Sequence, residues 1–100
     1  MINLSKRLKG IANLIDKNSV IADIGCDHAL LDIYLIQNKI IKKAIACDIT
    51  EGALNQAKNN VKLNNITNIE LRLSDGLEKL EQEDKVNNII MSGLGDNKII

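Results

Sequence analysis

Leu4, Leu8, Ile11 and Ile15 recur at helical spacing with Lys6, Arg7 and Lys9 off that stripe, so residues 4–16 are expected to form an amphipathic helix capped by Asn3 or Ser5. A polar break at 16–19 precedes Val20–Ile24, a short apolar run that ends at Gly25 and predicts a buried strand. Ala29–Gln37 is apolar nearly all round, the pattern of a helix pressed against a sheet. Lys43–Asp48 predicts a second strand. Thr50 and Glu51 then open a helix with Leu54, Ala57 and Val61 on its apolar face, closed by Asn64 and Asn65. Ile69–Leu73 alternates as a third strand, a charged helical stretch is expected over Leu77–Asp84, and Asn88–Ser92 gives a fourth strand.

Strands that alternate with crossovers of helical length call for a parallel sheet. The expected fold is α/β, a Rossmann-like open sheet of order 3-2-1-4 with helices on both faces and a ligand at the carboxyl ends of the strands beside strand one. One hundred residues suffice for one small domain. Hydrophobic residues at 45% and charged residues at 26% exclude a chain disordered throughout. Thirteen basic residues balance thirteen acidic ones, so any RNA contact must be local or supplied elsewhere. With Tyr34 the lone aromatic, the chain has almost no base-stacking platform, which weakens an RRM-like or OB-like reading. Cys26 and Cys47 have no metal spacing and are expected as buried, reduced thiols; no metal site is expected. The N-terminus has no signal-peptide pattern and no apolar run reaches the ~18 residues that span a bilayer, so a cytoplasmic protein without membrane contact is expected.

Candidate chemistry gathers at the strand ends. Strand one runs into Asp23-Ile24-Gly25-Cys26-Asp27-His28, where Gly25 permits a sharp turn and close backbone approach to a ligand. A dinucleotide fingerprint needs glycines where Asp27 and Leu30 stand, and the Asp27 carboxylate repels a pyrophosphate. Asp23 and Asp27 instead suit a cation, and S-adenosylmethionine carries a sulfonium and an ammonium without phosphate. Asp48, ending strand two, is placed to accept from both ribose hydroxyls. Asp75, in the loop after strand three, is placed to accept from an adenine amino group, and Ile49 offers the ring an apolar surface. The plainer alternatives are a turn at Asp75-Gly76, a helix cap at Asp48, and a His28 that packs at a helix start rather than lining the substrate side.

These motifs, with Ser5-Lys6-Arg7-Leu8, Ile21-Ala22-Asp23-Ile24-Gly25-Cys26-Asp27-His28-Ala29, Ser74-Asp75-Gly76-Leu77 and Ser92-Gly93-Leu94-Gly95, resemble the bacterial tRNA (adenine(22)-N1)-methyltransferase family, class I S-adenosylmethionine enzymes. The resemblance implies that Asp23, Gly25 and Asp27 hold the methionine end of S-adenosyl-L-methionine, Asp48 the ribose, and Asp75 with Gly76 the adenine side. It implies that Gly93, Leu94 and Gly95 lie at the methyl-transfer site, and that Lys6 and Arg7 touch tRNA phosphates, an assignment that competes with a solvated helix face. Asp96 stands where the family has the second glycine of its last turn, and Asp32 where it commonly has proline. The family's catalytic domain continues through further strands and a helical tRNA-binding domain, so residues 1–100 are expected to be its N-terminal part.

On that reading, strand four lacks a neighbour and its apolar edge, Ile89, Ile90 and Met91, favours self-association. Two other readings are a non-catalytic remnant that folds only against a partner, and a nicotinamide-linked Rossmann oxidoreductase, disfavoured by Asp27 and the missing glycines.

Overall fold

The structure, a computed structural model, describes residues 3–91. Helix α1 spans Lys6–Ala12, with Ser5 as its N-cap: the Leu8 amide donates to Ser5 Oγ at 3.3 Å. It is shorter than the apolar stripe predicts. Leu14 and Ile15 donate to the carbonyls of Ile11 and Ala12, an i to i−3 tightening that ends the helix, and Gly10 lowers helix propensity in its last turn. The stripe is nonetheless correct about burial, since Leu4, Ile11 and Ile15 are all in the core.

Strands β1 (Ser19–Ile24), β2 (Ile41–Asp48), β3 (Ile69–Leu73) and β4 (Asn88–Ile90) form one parallel sheet in the order β3-β2-β1-β4. The strand order is the expected one, and Ser92, expected in strand four, falls outside the described residues. Helices α2 (Leu30–Gln37) and α3 (Glu51–Leu63) are the crossovers from β1 to β2 and from β2 to β3. The Ala53 amide donates to Thr50 Oγ1 at 3.3 Å, so Thr50 caps α3 as its sequence position suggests.

Period-two alternation along the strands sorts the core into two faces. On one, Ile21, Ala44 and Ile90 pack with Ile11 and Ala12 of α1 and Leu31 and Leu35 of α2, while Ala46 packs with Leu54 and Ala57 of α3. On the other, Ala22, Ile24, Ile45 and Cys47 meet Leu80, Val86, Ile89 and Met91. Among the described residues, then, α1, α2 and α3 share one face, and the segment between β3 and β4 covers the opposite one. Fully buried Ile21, Ile33, Leu35, Ile45 and Ile90 each contribute about 1.5–3 kcal/mol of hydrophobic stabilisation.

The helical stretch expected over Leu77–Asp84 is a series of turns whose one helical element is a 3-10 turn at Gln82–Asp84. Arg72 of β3 explains the difference. Its guanidinium donates to both oxygens of Asp84 at 2.7 Å, to the Lys79 carbonyl at 2.8 Å and to Glu70 Oε2 at 2.6 Å. Ser74 Oγ accepts from the Lys79 amide at 3.2 Å. Backbone groups that a helix would pair internally are thus held by side chains.

Candidate functional site

The carboxyl ends of β1, β2 and β3 converge on a cavity of about 380 Å3 lined by Ile24, Gly25, Asp48, Ile49, Ser74, Asp75 and Gly76. A smaller cavity of about 80 Å3, lined in part by Arg7, Leu8, Asp27, His28 and Leu31, adjoins it, and Gly25 lines both. The wall between them is the turn from β1 to α2. Its Gly25 and Cys26 amides donate to the Cys47 carbonyl, both at 2.9 Å, which folds the turn over the end of β2. Gly25, Asp27 and Ala29 have φ of 73°, 54° and 60°, left-handed values that glycine adopts freely, aspartate tolerates and alanine adopts only with strain.

Asp48 organises this wall. Its Oδ2 accepts from the Asp27 amide at 3.2 Å, and its Oδ1 accepts from the Thr50 amide at 3.2 Å and the Thr50 hydroxyl at 3.4 Å. The carboxylate is half-buried at the cavity and retains acceptor capacity toward it. Among the described residues no Lys or Arg forms an ion pair with Asp27, Asp48 or Asp75. His28 Nε2 lies 3.7 Å from Asp27 Oδ1, with both side chains largely exposed, and the His28 carbonyl accepts from Asn60 Nδ2 at 2.9 Å.

On the far wall the Ser74 amide donates to the Asp48 carbonyl at 2.9 Å, and the Ser74 hydroxyl donates to the Gly76 carbonyl at 2.8 Å. Gly76 has φ of 60°, and a Cβ there would meet nothing within 4 Å, so its requirement is conformational rather than steric. Ile49 is 63% exposed, an apolar surface at the cavity mouth.

Gly25, Asp48, Ile49, Asp75 and Gly76 therefore share one cavity, while Asp27, His28 and Arg7 border the adjoining one. Asp23 lines neither. It is fully buried on the helix-covered face of β1, where its cross-strand partners are Ala46 and Ile90. Lys6 is exposed on α1 and lines neither cavity. Gly93, Leu94, Gly95 and Asp96 lie outside the described residues. Cys26 and Cys47 are buried and unbridged, as expected. Burial pushes the Cys47 thiol up to about 11, and burial with the nearby carboxylates raises Cys26 as well, so both are neutral thiols. Among the described residues no group of three or more His, Cys, Asp or Glu is placed to hold a metal ion, and no helix is long and apolar enough to cross a membrane.

Three polar residues have contacts or burial that the sequence does not show. Thr50 both caps α3 and orients Asp48. Asn60 pins the turn from 32 residues away. Asp32, in the first turn of α2, is fully buried. A helix-start pattern signals the first; no local pattern signals the other two.

A parallel 3-2-1-4 sheet with an acid-lined cavity at its carboxyl ends defines a Rossmann-like domain, and the methyltransferase domain family matches residues 4–100. The chain belongs to that family. Among individual proteins, it is 38% identical over 95 residues to the tRNA (adenine(22)-N(1))-methyltransferase of Bacillus subtilis, a match that takes in 94% of this chain and 40% of the relative. The crystal structure of the B. subtilis m1A22 tRNA methyltransferase TrmK superposes with a TM-score of 0.86 at 37% identity, covering 91% of this chain and 39% of that one. TrmK of M. capricolum, in complex with S-adenosyl-homocysteine, gives a TM-score of 0.77 at 46% identity over 87% of this chain and 38% of that one. The Streptococcus pneumoniae protein Sp1610, in complex with S-adenosyl-L-methionine, gives 0.86 at 36% identity over 89% and 42%. The chain thus spans about 40% of the length of the relatives it matches.

Proposed function

We propose that this chain carries the cofactor-binding part of a cytoplasmic S-adenosyl-L-methionine-dependent methyltransferase that acts on N1 of an adenine in tRNA, at position 22. The observation that carries the proposal is the cavity at the strand ends, where Asp48 is held by two backbone amides and a hydroxyl and, among the described residues, forms no ion pair with a Lys or Arg. Such a site disfavours phosphate and favours hydroxyls and cations, the groups that distinguish an adenosyl sulfonium from a dinucleotide. The relatives crystallised with S-adenosyl-homocysteine and S-adenosyl-L-methionine support the same ligand.

On this reading Asp48 accepts from the ribose hydroxyls, Asp75, Gly76 and Ile49 border the adenine, and Gly25 and Asp27 receive the methionine end. Asp23 acts from beneath the turn rather than by touching the ligand, since it is fully buried. Bound S-adenosyl-L-methionine supplies an activated methyl group. Adenine N1 has its own lone pair, so the protein's task is orientation, with no strong base required. His28 and the segment Gly93-Leu94-Gly95 are assigned to the substrate side, and Lys6 and Arg7 to tRNA phosphates, with the target base turned out of its stack. The remainder of the catalytic domain and the tRNA-binding part are assigned to the length of the relatives that this chain does not span, and the apolar edge of β4 to contact with that remainder or with a second copy.

Calorimetric titration with S-adenosyl-homocysteine, with NADH in parallel, tests the proposal. Saturable binding of the former alone is expected, and a dinucleotide preference in folded protein overturns it.

A further inference from the structure

Asp32 stands where nothing in the cofactor reading needs an acid, and its side chain is fully buried with both carboxyl oxygens lacking any hydrogen-bond donor among the described residues. An isolated carboxylate in that position is too costly to persist charged. Its neighbours in α2, Leu31, Ile33 and Leu35, are buried and apolar. The side chain beside it is another fully buried acid, Asp23 of β1. Two ionised carboxylates have only acceptors to offer each other; one added proton converts the contact into a hydrogen bond.

We infer that Asp32 and Asp23 share a single proton, Asp32 as a carboxylic acid donating to the Asp23 carboxylate, and that this clip makes Asp32 a positioning residue for the cofactor-binding turn. The clip ties the end of β1 to the first turn of α2, and the chain it closes is the turn holding Gly25, Asp27 and Ala29. That turn needs external support. Ala29 opens α2 with no side-chain cap, and Asp27 and Ala29 sit in left-handed conformations. The Asp27 amide that reaches Asp48 lies in the middle of the clipped segment.

Among the described residues the titratable groups facing Asp32 are Asp23 on β1, Cys26 in the turn and Cys47 on β2. Burial and the adjacent Asp23 carboxylate both raise the Asp32 carboxyl well above its ordinary range, while the two thiols are held neutral by burial. Asp32 is therefore the group that ionises as pH rises, and its ionisation places two like charges under the turn.

The inference rests on the cofactor reading for its ligand, and the test separates the two. S-adenosyl-homocysteine is titrated by calorimetry into the full chain and into Asp32→Asn from about pH 7 up to the pH at which the protonated-carboxyl band of wild type is lost, with infrared spectra of both proteins. Asparagine keeps an uncharged donor, so Asp32→Asn is expected to bind within about threefold of wild type at neutral pH, with the flatter profile. Wild-type affinity is expected to fall further as pH rises, by up to about tenfold per pH unit once Asp32 ionises. The two proteins differ at residue 32 alone, so the difference between the profiles isolates Asp32. A protonated-carboxyl band is expected in folded wild type at neutral pH and not in Asp32→Asn. Parallel pH profiles, or no acid band in folded wild type, overturn the inference. If neither protein binds the ligand while the band is present, the cofactor reading fails and the shared proton stands, with pH-dependent amide shifts across Gly25–Ala29 then reporting the clip.

Discussion

Two groups of carboxylates in this protein differ in what faces them. Glu70 and Asp84 surround Arg72, which donates to both and to the Lys79 carbonyl. Hydrogen bonds from Arg72 and the Glu81 amide hold Asp84 down from its ordinary 3.8 to about 2, and Arg72 lowers Glu70 as well. Asp27, Asp48 and Asp75 lie at the strand ends, where Asp48 meets only backbone amides and a hydroxyl, and none of the three pairs with a Lys or Arg among the described residues. An acid matched by its own cation is spent on structure, whereas an acid oriented by amides beside a cavity keeps acceptors for something that arrives. The first group shapes the segment from 74 to 87; the second lines the two cavities at the strand ends, the site proposed for the cofactor.

Exchanging residues between these roles should break the contrast most sharply at Asp48. Asp48→Ala is expected to weaken S-adenosyl-homocysteine binding by about 10- to 100-fold, the cost of losing charged hydrogen bonds worth about 1.5–3 kcal/mol, with a native circular dichroism spectrum. Unchanged affinity in calorimetry would show that the carboxylate is a cap and nothing more. Arg72→Leu should do the reverse. A loss of about 1–2 kcal/mol in chemical denaturation is expected, with ligand affinity nearly unchanged, because the guanidinium organises the β3–β4 segment and lines neither cavity at the turn.

Acid titration separates the groups by sign. Asp84 has a folded value below its unfolded one, so its stabilisation is complete above about pH 4 and is lost as pH falls toward about pH 2. Asp32 has a folded value above its unfolded one, so the native state binds the extra proton and stability declines as pH rises from the ordinary carboxylate range through the folded value. Asp32→Asn should remove the second slope and leave the first, as followed by urea unfolding across pH. Smaller effects are expected from Gly76→Ala, about 1 kcal/mol from left-handed strain alone since a methyl has open space. Asn60→Ala should cost about 0.5–1 kcal/mol and a few-fold in ligand affinity by releasing the His28 carbonyl.

Local patterns made much of this legible. The strand order follows from apolar runs separated by crossovers of helical length, and Asp48 and Asp75 are found because acids that directly follow strands fall at the carboxyl ends of a parallel sheet. Position along the strand does not reveal depth, so the sequence places Asp23 at the end of strand one but does not show that it is fully buried. The Leu77–Asp84 stretch looks helical because its charges repeat, yet its backbone is organised by Arg72, 12 residues from Asp84. Asp32 and Asn60 act through contacts that only the packed fold creates. The sequence predicts helices on both faces; that α1, α2 and α3 share one face among the described residues follows from strand alternation combined with the tertiary packing of α3.

The most direct measurement is amide chemical-shift mapping of the full chain during titration with S-adenosyl-homocysteine. Saturable shifts concentrated at Gly25–His28, Asp48–Thr50 and Ser74–Gly76, with Arg72 and Gln82–Asp84 unmoved, are the expected result. Shifts centred on the Arg72 segment, or none at these three turns in folded protein, would contradict the assignment of the strand-end acids to an adenosyl cofactor.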